Sequence, residues 1–256
     1  MKSRRAVALA CSALLASLVS GCKTTEKVLK ADPARDSGFL SEPERMAENR
    51  ARAPFNRMWA DPNFSSANYA TLVVAPVNTE HVLEENRWAR ANVRQFRVEK
   101  DIEEIATEFR EKVIDKFKES DDNRFKVVDE PGDDSLILEL AITKLVPGKA
   151  FIGLIGLASW GAPLPIGIPA GAVASFADDG WMAIEGRVRE ARSGQVVAMF
   201  ADREKGKTRI LDVEAATWYG HARESMKDWS DQLVRLANTP KDVQVDDSKA
   251  FELMPW

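Results

Sequence analysis

Cysteine and histidine are scarce in this chain, which has two of each among 256 residues. So few cysteines cannot build a disulfide framework, and we expect stability to come from a hydrophobic core. His81 and His221 each lack a second ligand at helical or loop spacing, which argues against a zinc site. The sequence therefore predicts no metal and no bound cofactor.

The sequence also lacks recognisable catalytic motifs. Ser159 does not have the glycine two positions before it that a nucleophile elbow requires, and neither a phosphate loop nor a dinucleotide-binding glycine pattern occurs. The acidic pairs near residue 130 do not match an EF-hand loop and are better read as solvated turns. We therefore expect no enzyme activity. The alternative is an enzyme with an unfamiliar site, for which Glu139, Glu185 and Ser159 are the candidate residues.

Clustered basic charge is missing as well. Without its first 21 residues the chain has 33 basic and 40 acidic side chains, a formal net charge of −7. The sequence has no basic patch of the kind that binds nucleic acid or an anionic lipid surface. We therefore predict that the protein does not bind nucleic acid.

The N-terminus has the three-part pattern of an export signal. A basic start, Met1–Arg5, is followed by an uncharged stretch from Ala6 to Val19 and then by Cys22. The apolar stretch has about 14 residues, whereas a membrane-spanning helix needs roughly 20, so a lasting transmembrane anchor is not expected. Residues 1–21 are therefore interpreted as a signal peptide.

Val19-Ser20-Gly21-Cys22 resembles the lipobox of bacterial lipoproteins. The resemblance implies a diacylglycerol thioether on Cys22, cleavage before that residue and acylation of the new amino group. Two or more acyl chains hold a protein firmly in a membrane. Lys23 stands where an inner-membrane retention signal has aspartate, which by analogy favours the outer membrane, with the folded domain facing the periplasm. The alternative is an ordinary secretory signal with an incidental cysteine.

The rest of the chain divides into three parts. Residues 22–66 are polar and contain four prolines, which indicates a tether that becomes partly ordered toward its end. Residues 67–240 carry the periodic patterns of one folded domain, and residues 241–256 form a C-terminal tail.

The domain pattern predicts a strand, a helix, several strands and a last helix. Strands are expected at Tyr69–Val77, 125–128, 135–146, 181–191 and 195–205. An apolar stripe predicts a helix that is capped at Asp101 and Glu104, and a second stripe predicts a helix after Asp212 that is anchored by Trp218 and Trp229. This order indicates a two-layer α+β domain in which a mainly antiparallel sheet packs against two amphipathic helices.

The hairpin at Ser193-Gly194 raises a question of register. A strict two-residue turn would place Glu185 opposite Asp202, and like charges directly opposed are unfavourable. We therefore expect a longer loop or a bulge.

Residues 150–177 are uncharged throughout, which an ordinary soluble domain does not require. Three prolines and five glycines argue against a membrane-spanning helix. The first interpretation is an apolar loop or a broken pair of helices folded back over the sheet. The second is a surface that meets lipid or another subunit, and the third is an apolar ligand pocket.

Several short motifs together resemble the Gram-negative lipoproteins of domain-of-unknown-function family 3313. They are the lipobox, Ser37–Leu40, the strand at Tyr69–Val77, Ala141–Thr143, the hairpin from Glu185 to Gly194, and the pair Trp218 and Trp229. The resemblance implies an envelope lipoprotein and brings no catalytic residues. Our leading hypothesis is a non-enzymatic module that is tethered to the membrane and binds an envelope protein partner. The rival hypothesis is a homo-oligomeric channel or secretion component that uses residues 150–177.

Overall fold

The structure is a computed structural model, which describes residues 35–48, 54–85, 95–121, 123–146, 181–205, 220–240 and 243–247. Several predictions concern residues outside these ranges: the signal peptide, Cys22, the apolar segment 150–177, Ser159, Asp212 and Trp218.

Seven strands of the described chain form one sheet, in the order β1-β2-β7-β6-β5-β3-β4. The strands are β1 (Ala47–Glu48), β2 (Arg57–Ala60), β3 (Thr71–Val74), β4 (Lys126–Val127), β5 (Ser135–Val146), β6 (Trp181–Glu190) and β7 (Val196–Lys205). Four of the six pairings are antiparallel, whereas β3 runs parallel to both β4 and β5. The predicted mainly antiparallel sheet is confirmed.

Three α-helices accompany the sheet in the described residues: α1 (Glu80–Glu85), α2 (Gln95–Glu119) and α3 (Gly220–Asn238). The short helix α1 was not predicted. Helix α2 contains the predicted stripe but begins earlier than Asp101, because the preceding Gln, Arg, Glu and Lys residues also favour helix. The predicted capping pair therefore lies inside the helix.

The main core lies between the sheet and helices α2 and α3. Its largest fully buried side chains include Trp229, Phe109 and Ile105. Alternate residues of β5 from Leu136 to Ile142 face this core, as their spacing predicts, and Glu139 lies on the other face. The predicted two-layer α+β architecture is confirmed.

A glycine in β6 allows an aromatic stack in this core. Gly186 pairs with Phe200 across the ladder, and the Phe200 ring covers the glycine so closely that a Cβ there would lie 2.1 Å from Cζ. Phe55 stacks on the other side of Phe200 with ring centroids 4.4 Å apart. The absence of a side chain at Gly186 thus leaves room for the Phe200 ring.

The folded body starts before the predicted boundary at residue 67. Strands β1 and β2 lie within the predicted tether, and β2 pairs with β7 along four residues. Met58 packs against the main core, whereas Trp59 packs on the opposite face of the sheet. Two strands were missed because each is too short to show a periodic pattern, so their pairing depends on the neighbouring strand.

The register of the β6–β7 hairpin confirms the expected irregularity. Glu185 pairs with Ala201 and Ile184 pairs with Asp202, and the register shifts between Val188 and Arg189. Gly194 in the turn has a φ of +70°, which favours glycine.

Candidate functional site

The sheet face opposite the helices is covered by residues near the start of the described chain. We call Ser37–Leu40 the N-terminal strap. The Ser37 N–H donates to Glu185 Oε1 at 2.9 Å, and the Ser37 hydroxyl donates to Glu185 Oε2 at 2.8 Å. Both oxygens of a buried carboxylate on β6 are thereby bound by one residue of the strap.

Burial explains why the strap contact is strong. Glu185 is 2% exposed, and a buried carboxylate is costly unless donors satisfy it. Gly38 turns the chain after Ser37 with a φ of +93°, a conformation that other residues rarely adopt. The strap therefore combines a serine that satisfies the charge with a glycine that permits the turn.

Phe39 extends the strap contact along β6. The Arg187 guanidinium lies 4.7 Å from the centroid of the Phe39 ring, and its Nη1 donates to the Phe39 carbonyl at 3.2 Å. The ring of His81 in α1 makes an edge-to-face contact with the Phe39 ring, and the two ring centroids are 6.3 Å apart. Leu40 is buried with Met199 in a second apolar cluster on this face.

Glu139 and Glu185, two of the candidate catalytic residues, lie on adjacent strands and on the same face of the sheet. Arg187 Nε and Arg189 donate to the Glu139 carboxylate, with Arg189 Nε at 3.1 Å from Oε2. Burial raises the pKa of Glu139, but the hydrogen bonds from Arg189 and Arg187 outweigh it, so its pKa is lowered. Glu139 is thus held ionised by arginines, whereas Glu185 is bound by Ser37.

A second buried carboxylate lies on the helix side of the sheet. Asp202 is 1% exposed and accepts the Trp229 indole N–H at 2.7 Å and the Asn56 backbone N–H at 2.9 Å. The Asn56 side-chain amide also donates to it. Burial, together with the charge of Asp247, raises the pKa of Asp202 to about 6. This carboxylate joins β7 to α3 and to the residues before β2.

The predicted site residues thus fall into three groups. Glu139 and Glu185 come together on one face, the histidines lie apart on α1 and α3, and Cys22 and Ser159 lie outside the described ranges. Sequence reasoning missed the roles of Ser37, Asn56 and Asp202. The sequence did mark Ser37, because Ser37-Gly38 is part of a motif that resembles the family. That resemblance gave no contact for the serine.

The described residues offer neither a metal cluster nor a membrane-spanning helix. They contain no group of three or more histidine, cysteine, aspartate or glutamate side chains placed to hold a metal ion. None of the helices described is long and apolar enough to cross a membrane.

The fold and the strap define an α+β domain with a seven-stranded mixed sheet, two long helices on one face and an N-terminal segment on the other. The family model of DUF3313, a protein of unknown function, matches residues 35–233. The chain therefore belongs to the DUF3313 family. The predicted family is confirmed, and the match begins at the first described residue before the strap.

Solved structures show more distant similarity. Two structures of the PelC dodecamer from Paraburkholderia phytofirmans are 9% identical, with TM-scores of 0.36 and 0.37, and cover 69% and 70% of this chain and 96% of theirs. A DUF330 protein from Xanthomonas campestris is 10% identical, with a TM-score of 0.35, and covers 72% of this chain and 91% of its own. With TM-scores below 0.5, these similarities carry no argument about function. No curated protein matches the chain.

Proposed function

We propose that the protein is an envelope lipoprotein, anchored by lipid on Cys22, that works as a non-enzymatic binding or structural module. The observation that carries the proposal is the lipobox-like Val19–Cys22 after a short apolar stretch. The proposed location is the outer membrane, with the folded body on the periplasmic side. The proposed partners are the membrane, through acyl chains, and an envelope protein that is still to be identified.

The strap supports a close link between the anchor and the body. Arg35, where the described body begins, is 13 residues after Cys22. In any conformation, 13 residues span at most about 45 Å. Because Ser37 is bound to the buried Glu185, a body anchored at Cys22 would begin within about 45 Å of the anchored residue.

The two carboxylates on the strap side support a structural role over general-acid catalysis. A general acid needs a carboxyl that holds a proton near neutral pH, whereas the pKa of Glu139 is lowered by its arginines. Glu185 uses both oxygens to hold Ser37. These contacts connect elements of the fold, which is a structural use of both groups.

A channel or secretion component is the second candidate. Val146 and Trp181, which flank the connection that contains the uncharged residues 150–177, pair directly across β5 and β6. The channel hypothesis requires copies of this connection to meet in a ring-shaped homo-oligomer. Native mass spectrometry in mild detergent and conductance in liposomes test this candidate, and a monomer that leaves liposomes non-conducting would exclude it.

Mass spectrometry of the mature protein tests the anchor. We expect residues 1–21 to be missing and acyl mass to be present on Cys22, and Cys22→Ala to release the protein from membranes. Lys23→Ala is the matched control, which should stay acylated. A mature product that retains its first residues, or lacks acyl mass, would overturn the proposal.

Crosslinking in intact cells tests the binding role. The native chain is compared with Cys22→Ala, and we expect a crosslinked envelope protein that is lost with the anchor. If the protein turns over a member of a substrate panel, and Glu139→Gln abolishes this turnover without unfolding the protein, an enzyme would be favoured instead.

A further inference from the structure

The N-terminal strap is attached to the sheet through side chains of the sheet. Its three hydrogen bonds to β6 end on the Glu185 carboxylate or on the Arg187 guanidinium. Among the residues that the structure describes, no backbone–backbone hydrogen bond joins Ser37–Leu40 to another segment. A strand, in contrast, is held in a sheet by a ladder of such bonds. The strap therefore lies on a sheet whose backbone pairing does not depend on it.

The apolar contacts of the strap are also separate from the main core. Leu40 is buried with Met199 and Ala201 of β7, and Phe39 packs against the same cluster. The cluster between the sheet and the helices contains neither of these two strap residues. Because the clusters lie on opposite faces of the sheet, detachment of the strap leaves the main core closed. Segments held by few contacts open locally at a lower free energy than the whole fold.

The surface under the strap binds groups that any peptide carries. We call the side chains of Glu185, Arg187, Met199, Ala201 and His81 the strap-binding surface. Its carboxylate accepts a backbone N–H at 2.9 Å, and its guanidinium donates to a backbone carbonyl at 3.2 Å. Selectivity comes from the serine hydroxyl at 2.8 Å, from the aromatic ring 4.7 Å from the guanidinium, and from the buried leucine. These are the elements of a peptide-recognition site.

We propose that the strap is an internal occupant of a peptide-binding surface, and that a protein partner displaces it with a segment of the same chemistry. That segment has a serine, a glycine, an aromatic residue and a leucine in this order, as Ser37–Leu40 does. The assignment rests on the proposed binding role, to which it adds a surface and a partner motif. It does not require the anchor on Cys22.

Gly38 offers a way to weaken the strap without removing a contact. Its φ of +93° is unfavourable for alanine, whereas a Cβ there would lie at an ordinary distance of 3.9 Å from His81 Cε1. Gly38→Ala therefore strains the bound strap and leaves the strap-binding surface unchanged. A tethered segment competes at an effective concentration on the order of millimolar. Weakening it should open the surface to a free peptide.

The experiment uses the full chain, processed in cells and purified in mild detergent, with a free peptide of residues 35–41. Benzoylphenylalanine replaces the phenylalanine of the peptide, so that light captures even brief binding. We expect severalfold more adduct on Gly38→Ala than on the parent. Mass spectrometry should place the adduct on segments that contain Arg187 or His81.

Two controls locate the binding. Adding Glu185→Gln to the Gly38→Ala protein should reduce the adduct severalfold, whereas adding Glu130→Gln, at an exposed residue, should not. A peptide with alanine in place of its glycine should also give less adduct. Ser37→Ala with Phe39→Ala weakens the strap by another route, and far-UV circular dichroism checks that each variant has folded.

An equal adduct on the parent and on both folded strap variants, or no adduct on any of them, would overturn the displaceable strap. An adduct that Glu185→Gln leaves unchanged would overturn the surface. In intact cells, benzoylphenylalanine at position 81 should capture an envelope protein through a segment with the stated order of residues. Capture of a second copy alone would overturn the partner, and a partner found by crosslinking at other surfaces would leave the proposed function intact without this site.

Discussion

Glu185 and Asp202 lie on adjacent strands one residue out of register, and their carboxylates therefore project from opposite faces of the sheet. Glu185 pairs with Ala201 on the strap side, and Asp202 pairs with Ile184 on the helix side. Because side chains alternate along a strand, a shift of one position exchanges the faces. The bulge near Val188 thus separates two buried charges and gives each a different partner.

Ser37→Ala should loosen the strap. The variant removes one of two donors to a carboxylate that is 2% exposed, and a lost partner at a buried charge costs about 1 to 3 kcal/mol. The backbone N–H of residue 37 still donates to Glu185 Oε1 in the variant, so its hydrogen exchange reports whether the strap stays in place. This exchange should become faster, and the free energy of unfolding should fall. The exposed Ser41→Ala is the matched control. Equal exchange rates in both variants would show that the hydroxyl does not hold the strap.

Gly186→Ala should destabilise the main core. The new Cβ would lie 2.1 Å from Phe200 Cζ, so the ring must move away from its stack on Phe55. Overpacking of this kind costs about 1 to 3 kcal/mol, measured by urea unfolding. The control is Gly132→Ala, whose Cβ would meet the exposed Asp134 side chain at 3.3 Å. If Gly186→Ala unfolds at the same urea concentration as the parent, the close packing is not required.

Asp202→Asn should change how stability depends on pH. The pKa of Asp202 is raised from 3.8 to about 6 by burial, so the folded state binds its proton more tightly than the unfolded state. The stability from this group is therefore greatest below about pH 4 and falls as the pH rises toward 6, by on the order of 2 to 3 kcal/mol. The asparagine variant should lack this fall.

Urea unfolding at several pH values checks the Asp202 prediction. The difference in unfolding free energy between parent and variant should vary across the interval from pH 4 to pH 6. Asp133→Asn, at an exposed side chain, is the control. A constant difference for Asp202→Asn would contradict the raised pKa.

Glu139→Gln should change the pH dependence of stability in the opposite direction to Asp202→Asn. Hydrogen bonds from Arg189 and Arg187 outweigh burial and lower the pKa of Glu139, so its contribution to stability is present at neutral pH and is lost as the pH falls through the folded pKa. The variant should thus be less stable than the parent at pH 7, and the two should converge in acid. Glu130→Gln, at an exposed residue, is the comparison. If the variant remains less stable than the parent by the same amount in acid, the ion pairs are not the cause of the difference.

Much of the fold was predictable because its long elements have clear periods. The alternation of leucines in β5, the apolar stripe of α2 and the glycine in the hairpin turn each specify local structure. Strands β1 and β2 have two and four residues and no period of their own. Their positions depend on which neighbours offer free backbone groups, so β1 and β2 were assigned to a tether instead.

The sequence by itself determined the α+β class, the two helical stripes and the lipobox-like signal, because each depends on residues close together in the chain. The tertiary structure decided which distant residues meet: Ser37 with Glu185, and Trp229 with Asp202, across separations of 148 and 27 residues. A buried carboxylate takes its partner from whatever donor the packing brings near. Such a choice follows from the register of strands and the path of the chain, which local pattern does not contain.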